Sequence, residues 1–263
     1  MGDMYELFFE LSNEVRMAIL EKLGEGDLKL SRISSELDLP VQEISRQLSR
    51  LVKQGLSQKT PDGSYSITPY AEQVLRFMPS MEFLSKYSKY VTNHNLNGIP
   101  HEFVMRIGEL ADSNYVGDVM KMFHRSEKMI QDAEEYVWIM SDQILMSSMK
   151  FTEGAVERGV DHRFLGPRDI EPPEEFYTEA VKRGLIGADG KAQHKFLERM
   201  DLMVTLTEKE AQFLFPAPNG SFDYSGFSTT DPKALKWCKE IYLHYWESTD
   251  IHMPDAFRAQ AMR

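Results

Sequence analysis

A single cysteine, Cys238, stands among 263 residues, so internal disulfides and any multi-thiolate metal site are excluded. No apolar run approaches the ~20 residues that cross a bilayer. The first ten residues, MGDMYELFFE, are acidic and lack the basic start of a signal peptide, so a cytoplasmic protein without a membrane partner is expected. The seven histidines, His94, His101 and His162 among them, show no close ligand spacing, and neither a metal nor a cofactor is expected. Gly-rich phosphate loops, GxSxG elbows and HExxH pairs are missing, as are internal repeats and low-complexity segments. Positive charge is also short: 30 Lys and Arg against 41 Asp and Glu leave −11. A chain this acidic does not bind nucleic acid through its whole surface.

What is present is concentrated between Ser31 and Ser57, SRISSELDLPVQEISRQLSRLVKQGLS. The spacing predicts two short helices joined by a tight turn. Ser31 is the expected N-cap of the first, Ile33 and Leu37 its buried side, and Pro40 its stop, since proline disfavours helical geometry at Leu39. In the second helix Ile44, Leu48, Leu51 and Val52 form an apolar stripe. At about 100° per residue, Gln42, Arg46, Ser49, Arg50 and Lys53 point away from it. Amide, guanidinium, hydroxyl and ammonium groups are those that reach base edges and phosphates in a major groove. Exposed cations on a helix are more often merely solvated, so the next element decides. Gly55 stops the helix, and Asp62-Gly63 between two short extended runs signals a hairpin. Helix, turn, helix and hairpin describe a winged helix, with Lys59 and Tyr65 on its wing. Residues 12–23 supply a preceding helix, and Tyr5, Leu7, Phe8 and Leu11 extend it into a candidate dimer face.

Charge distribution fits a local DNA-binding face. Residues 1–79 hold nine Lys or Arg against twelve Asp or Glu, only −3 of the total −11. Between Val41 and Lys59 four basic residues meet one acidic residue, Glu43. The segments SNEVRMAILEKL and ISSELDLPVQEISRQLSRLVKQGL, with the DG wing, resemble the ArsR-like winged-helix transcription regulators. That resemblance covers about the first third of the chain. It implies double-stranded operator DNA as partner and a homodimer reading two half-sites. Many relatives of this type sense metals through paired thiolates, which a single cysteine does not provide.

Farther on, helices are expected over 69–78, 80–94 and 100–111, with Pro79 breaking the first from the second. From Val116 helices alternate with strands: a helix over 117–135, strands at 136–140, 160–165, 202–206, 211–215 and 222–227, and a last helix opened by Asp231-Pro232. The expected fold class is therefore an α+β winged-helix domain (1–78), a helical connector or dimerisation segment (79–115), an α/β domain (116–250) and a C-terminal tail (251–263). The segments FHRSEKMIQDAEEYVWIMSD, AVERGVDHRFLGP, FPAPNGSFDYSGF and WCKEIYLHYW resemble the effector domain of archaeal methanogenesis-type regulators, related to TrmB sugar-responsive regulators and similar to the phospholipase D fold. The resemblance implies control by a small-molecule effector or partner at that domain.

Phospholipase D chemistry asks for His, a Lys two residues on and an Asp five beyond that. Here His194 and Asp201 have the separation, but Phe196 stands in place of the Lys, and no second copy exists. The domain is expected to keep the fold without the catalytic motif, and the protein is not expected to be an enzyme. A ligand pocket is expected at the strand ends from Trp138, Met140, Asp142, Arg163, Phe213, Phe215 and Tyr224. Aromatics on strands are core more often than pocket, which is the competing reading for each. Two other functions stay open: a phospholipase-D-like phosphodiesterase targeted by the winged helix, and a winged helix that packs against protein.

Overall fold

The computed structural model describes residues 3–173, 175–186 and 191–249; the expected tail, 251–263, lies outside the described residues. The chain divides into two compact units, Met1–Pro79 and Ser80–Arg263.

The first unit begins with α1 (Met4–Leu11), where the Asp3 carboxylate accepts from the Tyr5 amide, and α2 (Glu14–Glu25), where Asn13 caps through the Arg16 amide. Then come α3 (Leu30–Leu37) and α4 (Val41–Lys53). Ser31 does not cap α3: it lies inside the helix, which starts a residue earlier behind Lys29 with no side-chain cap. The turn is closed by Asp38 in the left-handed region (φ 51°), a conformation that Asp tolerates, while the Ser34 hydroxyl donates to the Leu39 carbonyl at 2.6 Å. Gly55, at φ 70°, ends α4 and turns the chain into β1 (Ser57–Lys59). Strand β2 (Tyr65–Ile67) pairs with it antiparallel, and Gly63 (φ 84°) makes the wing's turn. Ile19, Leu20, Leu23, Ile33, Ile44, Leu48, Leu51 and Leu56 form the core. Val52, expected in the buried stripe, is exposed, because it follows Leu51 by one residue and turns off the core face.

Helix α5 (Pro69–Lys86) runs through Pro79 instead of breaking there. Proline fixes φ near the helical value, so the helix continues through it, at a cost of about 3 kcal/mol from one lost hydrogen bond and the clash of the ring with the carbonyl one turn before. Helices α6 (Ser88–Asn93) and α7 (His101–Met105) follow, with a 3-10 turn at Ile107–Leu110. Phe83, Tyr90, Phe103, Ile107 and Leu110 all enter the second unit's main core. The segment set apart in the sequence as a connector is thus built into that unit.

The second unit is a mixed α/β domain on one seven-stranded sheet. Its elements are β3 (Asn114–Val116), α8 (Val119–Asp132), β4 (Tyr136–Met140), α9 (Met149–Glu157), β5 (Asp161–Pro167), α10 (Phe176–Lys182), β6 (Gln193–Leu197), β7 (Met203–Thr207), β8 (Ala211–Leu214), β9 (Gly226–Thr229) and α11 (Pro232–Glu247). The strand order is β3-β9-β8-β7-β4-β5-β6. Only β4, β5 and β6 run parallel, joined by the α9 and α10 crossovers; every other pairing is antiparallel. The run expected as a strand over 222–227 forms its strand four residues later, and β3 and β6 were not foreseen. Helix α11 starts as expected, with Asp231 accepting from the amides of Lys233 and Ala234.

Strand alternation sorts side chains to two faces. Trp138, Met140, Leu165, Val204, Leu206 and Phe213 join the α11 residues Trp237, Ile241 and Tyr242 in one core. Ile139, His162, Phe164, His194, Thr205 and Gln212 face the side of α8, α9 and α10.

Candidate nucleic-acid interface and a buried cavity

On α4 the side chains of Gln42, Arg46, Ser49, Arg50 and Lys53 are all exposed, while Ile44, Leu48 and Leu51 anchor the opposite side. The two arginines are not free. Arg46 pairs with Glu43 at 2.7 Å, one turn before it, and Arg50 reaches the α1 carboxylate of Glu10 at 2.6 Å. Glu10 is itself buried and holds Arg16 of α2 at 2.8 Å. Arg16 donates to the Gln47 amide oxygen at 3.0 Å, and Gln47 donates to Glu43 at 2.6 Å. A continuous polar chain therefore runs from Arg46 through Glu43, Gln47, Arg16 and Glu10 to Arg50. The Phe9 ring lies 5.4 Å from the Arg50 guanidinium and 5.8 Å from that of Arg16. The hydrogen bond from Arg50, supported by the charge of Arg16, holds the Glu10 carboxyl below the usual carboxylate range although burial opposes it. Glu10, Arg16 and Gln47 were missed in the sequence, where they read as ordinary helix positions; Arg16 inside the apolar run VRMAIL was the one available signal.

On the wing Lys59 is exposed at the end of β1. Tyr65 differs from expectation: its backbone bridges Leu28 and its half-buried ring packs on the core. The turn itself is rigid, because Asp62 accepts from the hydroxyls of Thr60 (2.6 Å) and Ser64 (2.8 Å). Those hydrogen bonds lower the Asp62 pKa.

The pocket expected from aromatic strand residues lies elsewhere. Trp138, Met140, Phe213 and Phe215 are core, packed on the α11 side of the sheet. Arg163 joins them there, its guanidinium 4.6 Å from the Trp138 ring and 5.4 Å from that of Trp246, with Asp161 paired at 3.0 Å. The sequence showed two faces per strand but not which would be sealed by a helix, and α11 covers the more aromatic one.

A cavity of about 120 Å³ opens on the other face, between β4, β5, β7, β8 and helices α8, α9 and α10. Its walls are mostly apolar, with Ile139, Met149, Phe164, Phe176 and Leu214 prominent. Of the expected pocket residues, Tyr224 lines it and Asp142 meets Tyr224, whose hydroxyl donates at 3.2 Å. Burial raises the Asp142 pKa, and the same cause with the nearby carboxylate pushes Tyr224 up to about 12. Tyr224 also adopts φ 59°, a conformation non-glycine residues hold at a cost of order 1–3 kcal/mol.

Two histidines, His162 of β5 and His194 of β6, line this cavity. Neither ring nitrogen of His162 has a hydrogen-bond partner among the described residues. The His194 Nδ1 lies 3.1 Å from the Ala192 carbonyl. Burial drives His162 down to about 3, helped by His194, and His194 down to about 4, so both are neutral at physiological pH. His194 and Asp201, spaced like a phospholipase pair, do not meet: Asp201 pairs with Arg199 at 2.6 Å and with the Tyr245 hydroxyl of α11.

The first unit, with its two-helix reading motif and hairpin, is a winged helix-turn-helix. Residues 13–59 match the family model for the bacterial regulatory protein, arsR family, so the chain carries an ArsR-type helix-turn-helix domain at its N-terminal side. No curated protein matches the chain. Among solved structures, TrmBL2, described as an archaeal chromatin protein with a novel mode of DNA binding, is 17% identical over 85% of this chain and 87% of its own, with a TM-score of 0.43. NucT from Helicobacter pylori is 11% identical over 54% of this chain and 98% of its own, at 0.41. IdeR from T. acidophilum is 16% identical over 86% and 95%, at 0.23. None of these three likenesses is close enough to assign a role to this chain. No helix among the described residues is long and apolar enough to cross a membrane.

Proposed function

We propose that the chain is a sequence-specific DNA-binding transcription regulator that works as a homodimer and is controlled through its second unit. The exposed polar face of α4, on a helix-turn-helix that matches the arsR family model, carries this reading. In it, α4 enters the major groove with Arg46 and Arg50 reading base edges and Gln42 beside them. Ser49, Lys53 and Lys59 hold phosphates. Tyr65 contributes by fixing the wing against the core. A two-fold dimer reads half-sites one helical turn or a multiple apart. The second unit is read as a non-catalytic effector domain on a phospholipase-D-like scaffold. Support for its lack of catalysis comes from the separation of His194 from Asp201 and from Phe196 in the place of a phosphate-binding Lys. An effector acts by binding two dimer geometries with different affinity.

The test starts from an operator recovered by random-site selection. Exchanging Arg46 and Arg50 together for Ala removes retardation of that fragment, with a loss of at least 100-fold in affinity, since each good base contact contributes ~1–3 kcal/mol. Because Arg50 also neutralises Glu10, Lys53→Ala with Gln42→Ala is made alongside, since Lys53 acts on Glu10 through its charge and not through an ion pair like that of Arg50. Circular dichroism and sedimentation check fold and dimer. Unchanged retardation by both double variants would sink this face.

A further inference from the structure

We propose that the cavity between the sheet and α8, α9 and α10 is a binding site for a small uncharged molecule, about one ring in size, that carries a hydroxyl group seated between His162 and His194. This rests on the reading of the second unit as an effector domain and names the chemistry of its ligand.

Size comes first. The cavity measures about 120 Å³ and its walls are mostly aliphatic and aromatic, with Ser, Thr and Gln side chains among them. Apolar cavities of roughly 150 Å³ take up benzene-sized guests. A sugar or a nucleotide is excluded on size.

The head group follows from the imidazoles. Buried polar atoms are almost always hydrogen-bonded, and leaving one without a partner is costly to the fold. His162 is buried (5% exposed) and both its ring nitrogens lack a partner among the described residues, although the side chain lines open space. A fold that carries such a cost holds the group for something that completes it. A neutral imidazole has one donor and one acceptor: His162 offers both, while the His194 donor goes to the Ala192 carbonyl and leaves its other nitrogen as an acceptor. A hydroxyl is the complementary group, since it donates to one nitrogen and accepts from another.

Charge on the ligand is opposed by the surroundings. No Lys or Arg lines the cavity, and Glu127 is its one charged wall residue among those described. An anion would meet no counter-charge and would have to protonate an imidazole that burial keeps neutral. Tyr224, which lines the cavity, is in the left-handed region, donates its hydroxyl to Asp142 and packs on Phe123 of α8 at 5.4 Å.

The experiment uses the full chain at pH 7 with phenol, cyclohexanol, toluene and benzoate as probes, followed by thermal unfolding and titration calorimetry. Phenol or cyclohexanol at tenfold excess over its Kd is expected to raise the Tm of the second unit by about 3–6 °C. Toluene binds at least tenfold more weakly, and benzoate gives no shift. His162→Leu, and separately His194→Leu, erase the preference for phenol over toluene while leaving the cavity apolar. Equal binding of phenol and toluene to the native chain would overturn the role of the imidazoles. Preference for benzoate, or no shift with any probe, would overturn the site. Operator retardation is measured on the same samples. A phenol shift that leaves DNA affinity unchanged supports the site and refutes effector control through it. Control by cell metabolites without any probe binding refutes the site alone.

Discussion

The two units bury polar groups in opposite ways. In the winged helix, Glu10 and Arg16 are nearly inaccessible, yet every charged side chain in the series from Arg46 to Arg50 meets a partner within about a hydrogen bond's length. In the α/β unit, His162 is as deeply buried and neither of its ring nitrogens meets a hydrogen-bond partner among the described residues. A saturated network fixes how α1, α2 and α4 sit against each other, which is what a reading head needs. An unsaturated imidazole in an apolar cavity adds nothing to the fold and is available to a ligand. Polarity that is buried and satisfied is architecture; buried and unsatisfied, it marks a site.

Acid separates the two arrangements most strongly. Both histidines are neutral in the folded chain, with pKa values pushed to about 3 and about 4, whereas the unfolded chain takes up protons near 6.5. Their native-state pKa values being lowered, the stability of the second unit is full above pH 6.5 and falls as the pH drops from there towards 4. The loss amounts to roughly 2 kcal/mol per imidazole between pH 7 and pH 5. Glu10 is lowered too, but from a carboxylate's ordinary value, so its contribution to the first unit is lost only below about pH 4.5. Urea unfolding at pH 7, 6 and 5 should show the second unit weakening while the Glu10 network holds; a flat profile for the second unit would contradict the neutral buried pair.

Arg16→Met comes next in size. It leaves Glu10 paired with Arg50 and strips the donor from the Gln47 amide oxygen, whose amide nitrogen keeps Glu43. Removing one member of a buried ion pair costs about 3 kcal/mol, seen as a lower urea midpoint for the winged helix. A loss under about 1 kcal/mol would show that the network is ornamental to the fold.

The smallest effect has the opposite sign. His162→Leu removes two unpaired polar atoms from an apolar wall and should raise the stability of the second unit by about 1 kcal/mol at pH 7. Destabilisation of that size would mean the imidazole has a structural partner, and the contrast between the units would fail.

Most of the first unit was legible because its signals are local. The period of Ile44, Leu48 and Leu51, the Pro40 stop, Gly55 and the Asp62-Gly63 turn each act within a few residues. Where local reading went astray, the chain had more than one solution: Ser31 gave way to a start one residue earlier, and Pro79 was absorbed into α5. In the second unit strands β4, β5, β7 and β8 were legible from apolar runs. Strand β6 was not, since QHKFL is half polar and its histidine reads as a motif rather than a wall.

By itself, then, the sequence determined the winged helix, the outward face of α4 and the alternation of helix and strand, because hydrophobic period and turn chemistry depend on near neighbours along the chain. Tertiary structure alone decided three things. It tied Arg50 to Glu10 across forty residues, it chose the α11 face as the sealed core, and it brought His162 and His194 to one cavity. Each depends on which surfaces pack together, and packing between distant segments leaves no mark in the spacing of residues along either one.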